Sequence, residues 1–123
     1  LARIMLSIKN VLADRDAVGT LIFDEVDTGV SGRAAQKIGQ KLAQVAVQRQ
    51  VIVVTHLAQV AAFAQTHLLI AKTARDNRTF TSITPLDEDA RTRELARIIG
   101  GESVSEIALQ HAHEMLESAK NAR

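Results

Sequence analysis

The chain has 123 residues, enough for one domain, and 46% of them are hydrophobic, so a packed core rather than disorder is expected. The formal charge is +1 and only Phe23, Phe63 and Phe80 are aromatic, which argues against a dedicated basic nucleic-acid surface or a base-stacking platform. There is no cysteine, hence no disulfide and no thiolate metal site, and no apolar run long enough to span a bilayer.

The first residue is Leu1, and the sequence opens already in helical rhythm, as if cut from something longer. Leu1, Ile4, Met5, Ile8, Val11 and Leu12 recur at helical spacing and predict an amphipathic helix over about 1–13. Residues 20–24 (TLIFD) read as a strand that is apolar at successive positions, the pattern of a strand buried on both faces in a parallel sheet. A helix is expected from Ser31 and Gly32 onward, with Ala35, Ile38, Leu42 and Val45 as its buried stripe. A second strand of the buried type follows over 50–55 (QVIVVT), ended by His56. Leu57, Val60, Ala61 and Ala64 then suggest a short helix. Strand, helix, strand, helix implies parallel neighbours joined by a crossover, with both strand tips on one edge. Open α/β sheets place their ligands at that edge.

The second half has a different character. Residues 67–73 and 79–84 are β-rich and flank ARDNR, which reads as the turn of a hairpin, and Pro85 closes the second strand. Asp87 is a candidate N-cap for a helix with Glu88 and Asp89 in its first turn and Leu95, Ile98 and Ile99 on its apolar face; Gly100 and Gly101 stop it. Ser103 and Glu106 match a capping box for a last helix burying Ile107, Ala108, Ala112, Met115, Leu116 and Ala119, and the terminal SAKNAR is expected to fray.

One stretch carries chemistry. In TLIFDEVDTGVSG an apolar strand runs directly into Asp24 and Glu25, with Asp27 close behind. Carboxylates driven against a buried strand need a cation, a metal or donors opposite them. In nucleotide hydrolysis the first of two strand-end carboxylates can serve a magnesium ion that bridges the terminal phosphates. The second can polarise the attacking water. His56, at the tip of the next strand, is placed to touch the γ-phosphate or that water. Taken by itself, the pattern fits two solvated acids before a turn equally well.

The longer motifs favour the chemical reading. LIFDEVDTGVSG followed by VIVVTHLAQVAAFA, with RELARIIGGESVSEIALQHAHEML in the tail, resembles the C-terminal part of the ATPase head of the RecN family of bacterial DNA repair proteins. That family is similar to the SMC proteins and, more distantly, to the ABC ATPases. Val26 stands where an ABC transporter would more typically have proline. Gly29, Ser31 and Gly32 depart from the DEVDAALD more typical of SMC proteins. The resemblance covers nearly the whole chain. It implies an α/β fold: a mostly parallel sheet with flanking helices, a β-hairpin and C-terminal helices, all one portion of an ATPase head over 1–123. It implies that Asp24 closes the Walker B strand and serves magnesium, that Glu25 is the catalytic carboxylate and that His56 senses the γ-phosphate. Thr28, Gly29, Val30 and Ser31 would form a D-loop facing a second head across an ATP sandwich. Asp27 receives no role.

The cofactors implied are ATP and Mg2+. The partners implied are a second head in a homodimer, the N-terminal half of the same head, and DNA through the intact protein rather than through this segment; no membrane is implied. The setting implied is the bacterial cytoplasm and nucleoid, in double-strand break repair and recombination. The chain contains neither GxxxxGK[ST] nor an LSGGE-type signature, so alone it is expected to bind ATP weakly and hydrolyse it negligibly. It is also expected to leave sheet edge and apolar surface bare. Two alternatives stand beside this reading: a head-dimerisation module that works without nucleotide, and a transporter-type ATPase fragment. His67, His111 and His113 fit structural or solvated positions better than metal ligands, Met5 and Met115 fit helix stripes, and Arg3, Lys9 and ARTRELAR fit solvated faces.

Overall fold

The structure is a computed structural model, and it describes residues 19–122. The helix expected over about 1–13 lies outside the described residues. Four strands and four helices follow in the order β1 (Thr20–Asp24), α1 (Gly32–Val45), β2 (Gln50–Val54), α2 (Ala58–Ala61), β3 (Leu68–Arg75), β4 (Arg78–Pro85), α3 (Glu88–Gly100) and α4 (Glu106–Asn121).

β1 and β2 pair in parallel, in register from Thr20 opposite Gln50 to Asp24 opposite Val54. The crossover through α1 therefore brings both C-terminal tips to one edge, as the alternation of apolar runs predicted. α1 covers a single face of this pair. Phe23, Val26, Ala35, Leu42, Val45 and Val60 form the core between them, with Leu21, Ile38, Val51, Val53 and Leu57 packed around it. The other face is open: Ile22 is 70% exposed, and Ile52 and Val54 are exposed as well. This corrects the expectation of strands buried on both faces. A continuous apolar run marks a strand with a layer on each side, and among the described residues only one layer is present.

β3 and β4 form a separate antiparallel hairpin, in register from Leu68 opposite Pro85 to Arg75 opposite Arg78. Its turn is shorter than the five residues expected. Asp76 and Asn77 make it alone, at φ of 51° and 60°. A two-residue turn of matching twist needs positive φ at both positions, and Asp and Asn tolerate it better than other side chains. Arg75 lies 5.9 Å from the centre of the Phe80 ring. Leu68, Ile70, Phe80 and Ile83 are exposed, so the bare apolar surface foreseen from the sequence is present here and on β1 and β2.

The second core joins α2, α3 and α4 through small residues. Ala58, Ala61, Ala62, Phe63, Leu95, Ala96, Ala108, Ala112, Leu116 and Ala119 are all buried. Alanines allow helices to approach closely enough to exclude water. Arg91 of α3 is buried and its Nη2 donates to the carbonyls of Ala64 at 2.8 Å and Ala61 at 3.5 Å, satisfying acceptors at the end of α2. Asp87 caps α3, its Oδ1 accepting from the Ala90 amide at 2.8 Å. α4 is capped by Ser105, whose Oγ accepts from the Ala108 amide at 3.1 Å, rather than by Ser103. Starting the helix at Glu106 turns Ile107 outward, where it is 83% exposed, so its expected burial is also corrected. Where it is described, the SAKNAR segment is helical rather than frayed as expected. α4 continues to Asn121, with Ala119 buried and Lys120 bridging to Glu88 at 3.3 Å and Glu117 at 3.2 Å.

Gly39 sits where α1 meets Phe63. A methyl group there would come within 2.5 Å of the ring, and Phe63 is itself buried. Gly39→Ala gains up to about 1 kcal/mol of helix propensity but must displace the ring, an overpacking cost of roughly 1–3 kcal/mol. The expected net result is a lower melting temperature in a thermal unfolding scan, with Phe63→Leu in the Gly39→Ala background recovering part of the loss.

Candidate functional site

Asp24 is the last residue of β1 and is exposed. Strand alternation would send Glu25 to the same face as Leu21 and Phe23, into the core. It does not go there, because Glu25 adopts φ of 58°, a left-handed conformation rare for a residue with a side chain. The turn leaves Glu25 in solvent and carries Val26, 1% exposed, into the core in its place. Thr28 N–H closes the turn on the Glu25 carbonyl at 3.1 Å, and Val30 N–H bonds the Asp27 carbonyl at 3.2 Å. Gly29 and Gly32 continue the loop at φ of 75° and 54°, positions where glycine is favoured. Thr28, Gly29 and Ser31 are exposed on this loop, and Ser31 leads into α1 without a side-chain capping bond. Exposed loop residues beside an exposed carboxylate pair can meet a ligand or another molecule.

His56 follows β2 by two residues and is exposed. With β1 and β2 in parallel register, Asp24, Glu25 and His56 share the C-terminal edge of the pair. The structure thus brings together residues separated by about thirty positions in sequence.

Two residues that sequence reasoning left out bind the tips to each other. Asp27 is 2% exposed, and its Oδ2 accepts a hydrogen bond from the Thr55 hydroxyl. Thr55 Oγ1 in turn accepts from the Leu57 N–H at 3.0 Å, closing a turn around His56. The signal was present in outline: a third acid just past the strand end, and a threonine just before the histidine. Nothing local indicated that they meet.

Among the described residues no group of three or more His, Asp or Glu side chains is arranged to hold a metal ion. A magnesium ion needs fewer protein ligands than that, one or two carboxylates with phosphate and water completing its shell. Asp24, exposed at the strand end, suits the first role.

His56 also lines a groove of about 390 Å3 with Gln59, Ile98, Ile99, His111 and Met115. His111, expected in a structural or solvated position, faces the same groove as His56. His113 is exposed. His67 is half-buried at the foot of β3, with its Nδ1 buried and without a hydrogen-bond partner among the described residues. Burial lowers its pKa below 6.5, helped by the Arg91 charge and opposed by Glu94.

No family model matches the chain. Over its whole length it is 46% identical to DNA repair protein RecN of Bacillus subtilis (strain 168), of which it covers 21%. It is 48% identical, again over its whole length, to DNA repair protein RecN of Streptomyces coelicolor, covering 22% of that protein. With 95% of the chain aligned it is 44% identical to DNA repair protein RecN of Haemophilus influenzae, covering 21%. The chain spans about one fifth of the length of the curated relatives it matches. Its fold is similar to a solved structure from work on ATP-driven dimerization and DNA-stimulated activation of SMC ATPases. The TM-score is 0.60 at 17% identity, over 80% of this chain and 58% of that one. At that identity the likeness shows the fold alone. The resemblance to RecN read from the motifs therefore holds along the entire chain, and the α/β fold is that of an SMC-type ATPase. No helix among the described residues is long and apolar enough to cross a membrane.

His67 supplies a pH test of this geometry. Its folded pKa lies below the unfolded value near 6.5, so the unfolded chain takes up the proton first as pH falls. Stability is complete above about 6.5 and declines as pH drops toward the lowered folded value. Urea unfolding across that window should show the decline in the parent chain and a flatter profile in His67→Gln.

Proposed function

We propose that this chain is the segment of a RecN-like ATPase head that supplies the hydrolytic carboxylates and the γ-phosphate-sensing histidine. The observation that carries the reading is the common edge: exposed Asp24, Glu25 and His56 at the tips of adjacent parallel strands. The RecN relatives and the SMC-type fold support it. In the full-length protein two heads would engage over ATP and magnesium, and the work would serve double-strand break repair and recombination in the bacterial cytoplasm. The N-terminal half of the head would supply the phosphate-cradling loop, and DNA would be met elsewhere in the protein.

Asp24 would hold the cation, directly or through water, with no other protein carboxylate required. Bound there, magnesium would neutralise charge on the β- and γ-phosphates. Glu25, turned into solvent by its left-handed backbone, would orient the attacking water and accept its proton. His56 would donate a hydrogen bond toward the γ-phosphate oxygens and so register their presence. Thr28, Gly29 and Ser31 would face the second head.

The test is ATP turnover by the full-length protein carrying this segment, with and without double-stranded DNA. Glu25→Gln should leave nucleotide binding intact and lower turnover by roughly 10²–10⁴-fold. Undiminished turnover in that variant would remove Glu25 from the role. Nucleotide binding with no turnover in the parent protein would make the nucleotide-independent dimerisation module the better account.

A further inference from the structure

We infer that Asp27 and Thr55 form a positioning pair that sets His56 against the carboxylates of the neighbouring strand. The inference rests on the hydrolytic reading above and adds two residues to it. The parallel ladder ends at Asp24 and Val54, so the residues that carry the chemistry lie at or beyond its last rung. Past that point the Thr55 hydroxyl links the two tips, donating to the buried carboxylate of Asp27 across 28 residues of sequence.

The bonding arrangement is directional. The Thr55 oxygen accepts from the Leu57 N–H at 3.0 Å, which fixes the backbone on both sides of His56. The hydroxyl proton goes to Asp27, two residues after Glu25. The Asp27 carbonyl accepts from Val30 N–H at 3.2 Å and so shapes the loop that presents Thr28 and Gly29. One side chain therefore ties the turn under Glu25 to the turn around His56. Both turns are exposed at their tips, and Asp27 is buried at the tie. Neither Asp27 nor Thr55 needs to touch a nucleotide. Their effect is to place His56, and misplacement of a reacting group by about 1 Å can cost on the order of 10²-fold in rate.

The experiment uses the full-length protein with Thr55→Val, Thr55→Ser, Asp27→Asn and His56→Ala, alone and combined, beside Glu25→Gln as a control. Thr55→Val keeps the side-chain shape and removes the hydroxyl. It should lower kcat roughly 10- to 100-fold with little change in KM, and it should speed hydrogen exchange in the peptide containing Leu57. Thr55→Ser should restore both, and Asp27→Asn should fall between. In the His56→Ala background Thr55→Val should cost almost nothing further, because the pair acts through that histidine.

Three results would overturn the inference. They are unchanged exchange at Leu57, unchanged kcat in Thr55→Val, or an equal loss with and without His56. A variant that merely unfolds would lose nucleotide binding as well, and the serine variant would then show whether the hydroxyl matters in a folded protein. If Glu25→Gln also leaves turnover intact, the hydrolytic reading fails and takes the inference with it. If Glu25→Gln abolishes turnover and Thr55→Val does not lower it, the positioning claim alone is wrong.

Discussion

A carboxylate inside a protein core must be given hydrogen-bond donors, because an unpaired buried charge is among the costliest arrangements available to a fold. Asp27 meets that constraint with the Thr55 hydroxyl. The consequences spread outward from this contact. The chain must leave β1 through a left-handed residue for Asp27 to turn inward, and Glu25 takes that conformation and is left in solvent. Val26 fills the core position that Glu25 would have occupied. On the other strand, Thr55 must sit one residue beyond the ladder for its hydroxyl to reach across, which leaves His56 exposed at the tip. Glu25 and His56 face outward at this edge, beside Asp24 on the open face with Ile22, and two polar residues meet beneath them.

Much of this frame was legible in the sequence. The apolar runs over 20–24 and 50–55, separated by a helix with a regular stripe, specify a parallel pair with its tips on one edge, and they form one. Asp87 followed by Glu88 and Asp89 announced a capped helix, and the cap is made. What was not legible depended on partners distant in sequence or absent from it. Ile22, Ile52 and Val54 read as buried because their strands are uniformly apolar, yet no second layer covers them among the described residues. Ser103 read as the N-cap of the last helix, yet Ser105 makes the cap, in a helix register set by how α4 packs its alanines against α3, which no local pattern records. The Asp27–Thr55 contact spans 28 residues and joins two loops, so neither helical nor strand periodicity could reveal it. His111 comes to the His56 groove for a similar reason, through the packing of α4 beside α2.

The exposed apolar residues are the other notable property of the molecule. Ile22, Ile52 and Val54 lie on the open face of the parallel pair, and Leu68, Ile70, Phe80 and Ile83 lie on the hairpin. Apolar surface gathered on exposed strands usually meets another surface. The chain spans about one fifth of its RecN relatives, so under the proposed reading this surface would be covered by the remainder of the head. The same reading separates the labour within the head: this segment holds water, cation and γ-phosphate contacts, while the grip on the nucleotide comes from elsewhere.

The most direct measurement is a crystal structure of the full-length protein carrying this segment, bound to magnesium and a non-hydrolysable ATP analogue. The account predicts Asp24 at the cation or its bound water, Glu25 facing the position of an in-line water, and His56 within hydrogen-bond distance of a γ-phosphate oxygen, with the Thr55–Asp27 bond intact beneath them. A nucleotide bound away from the shared edge of β1 and β2, with Asp24 and His56 in bulk solvent, would contradict it.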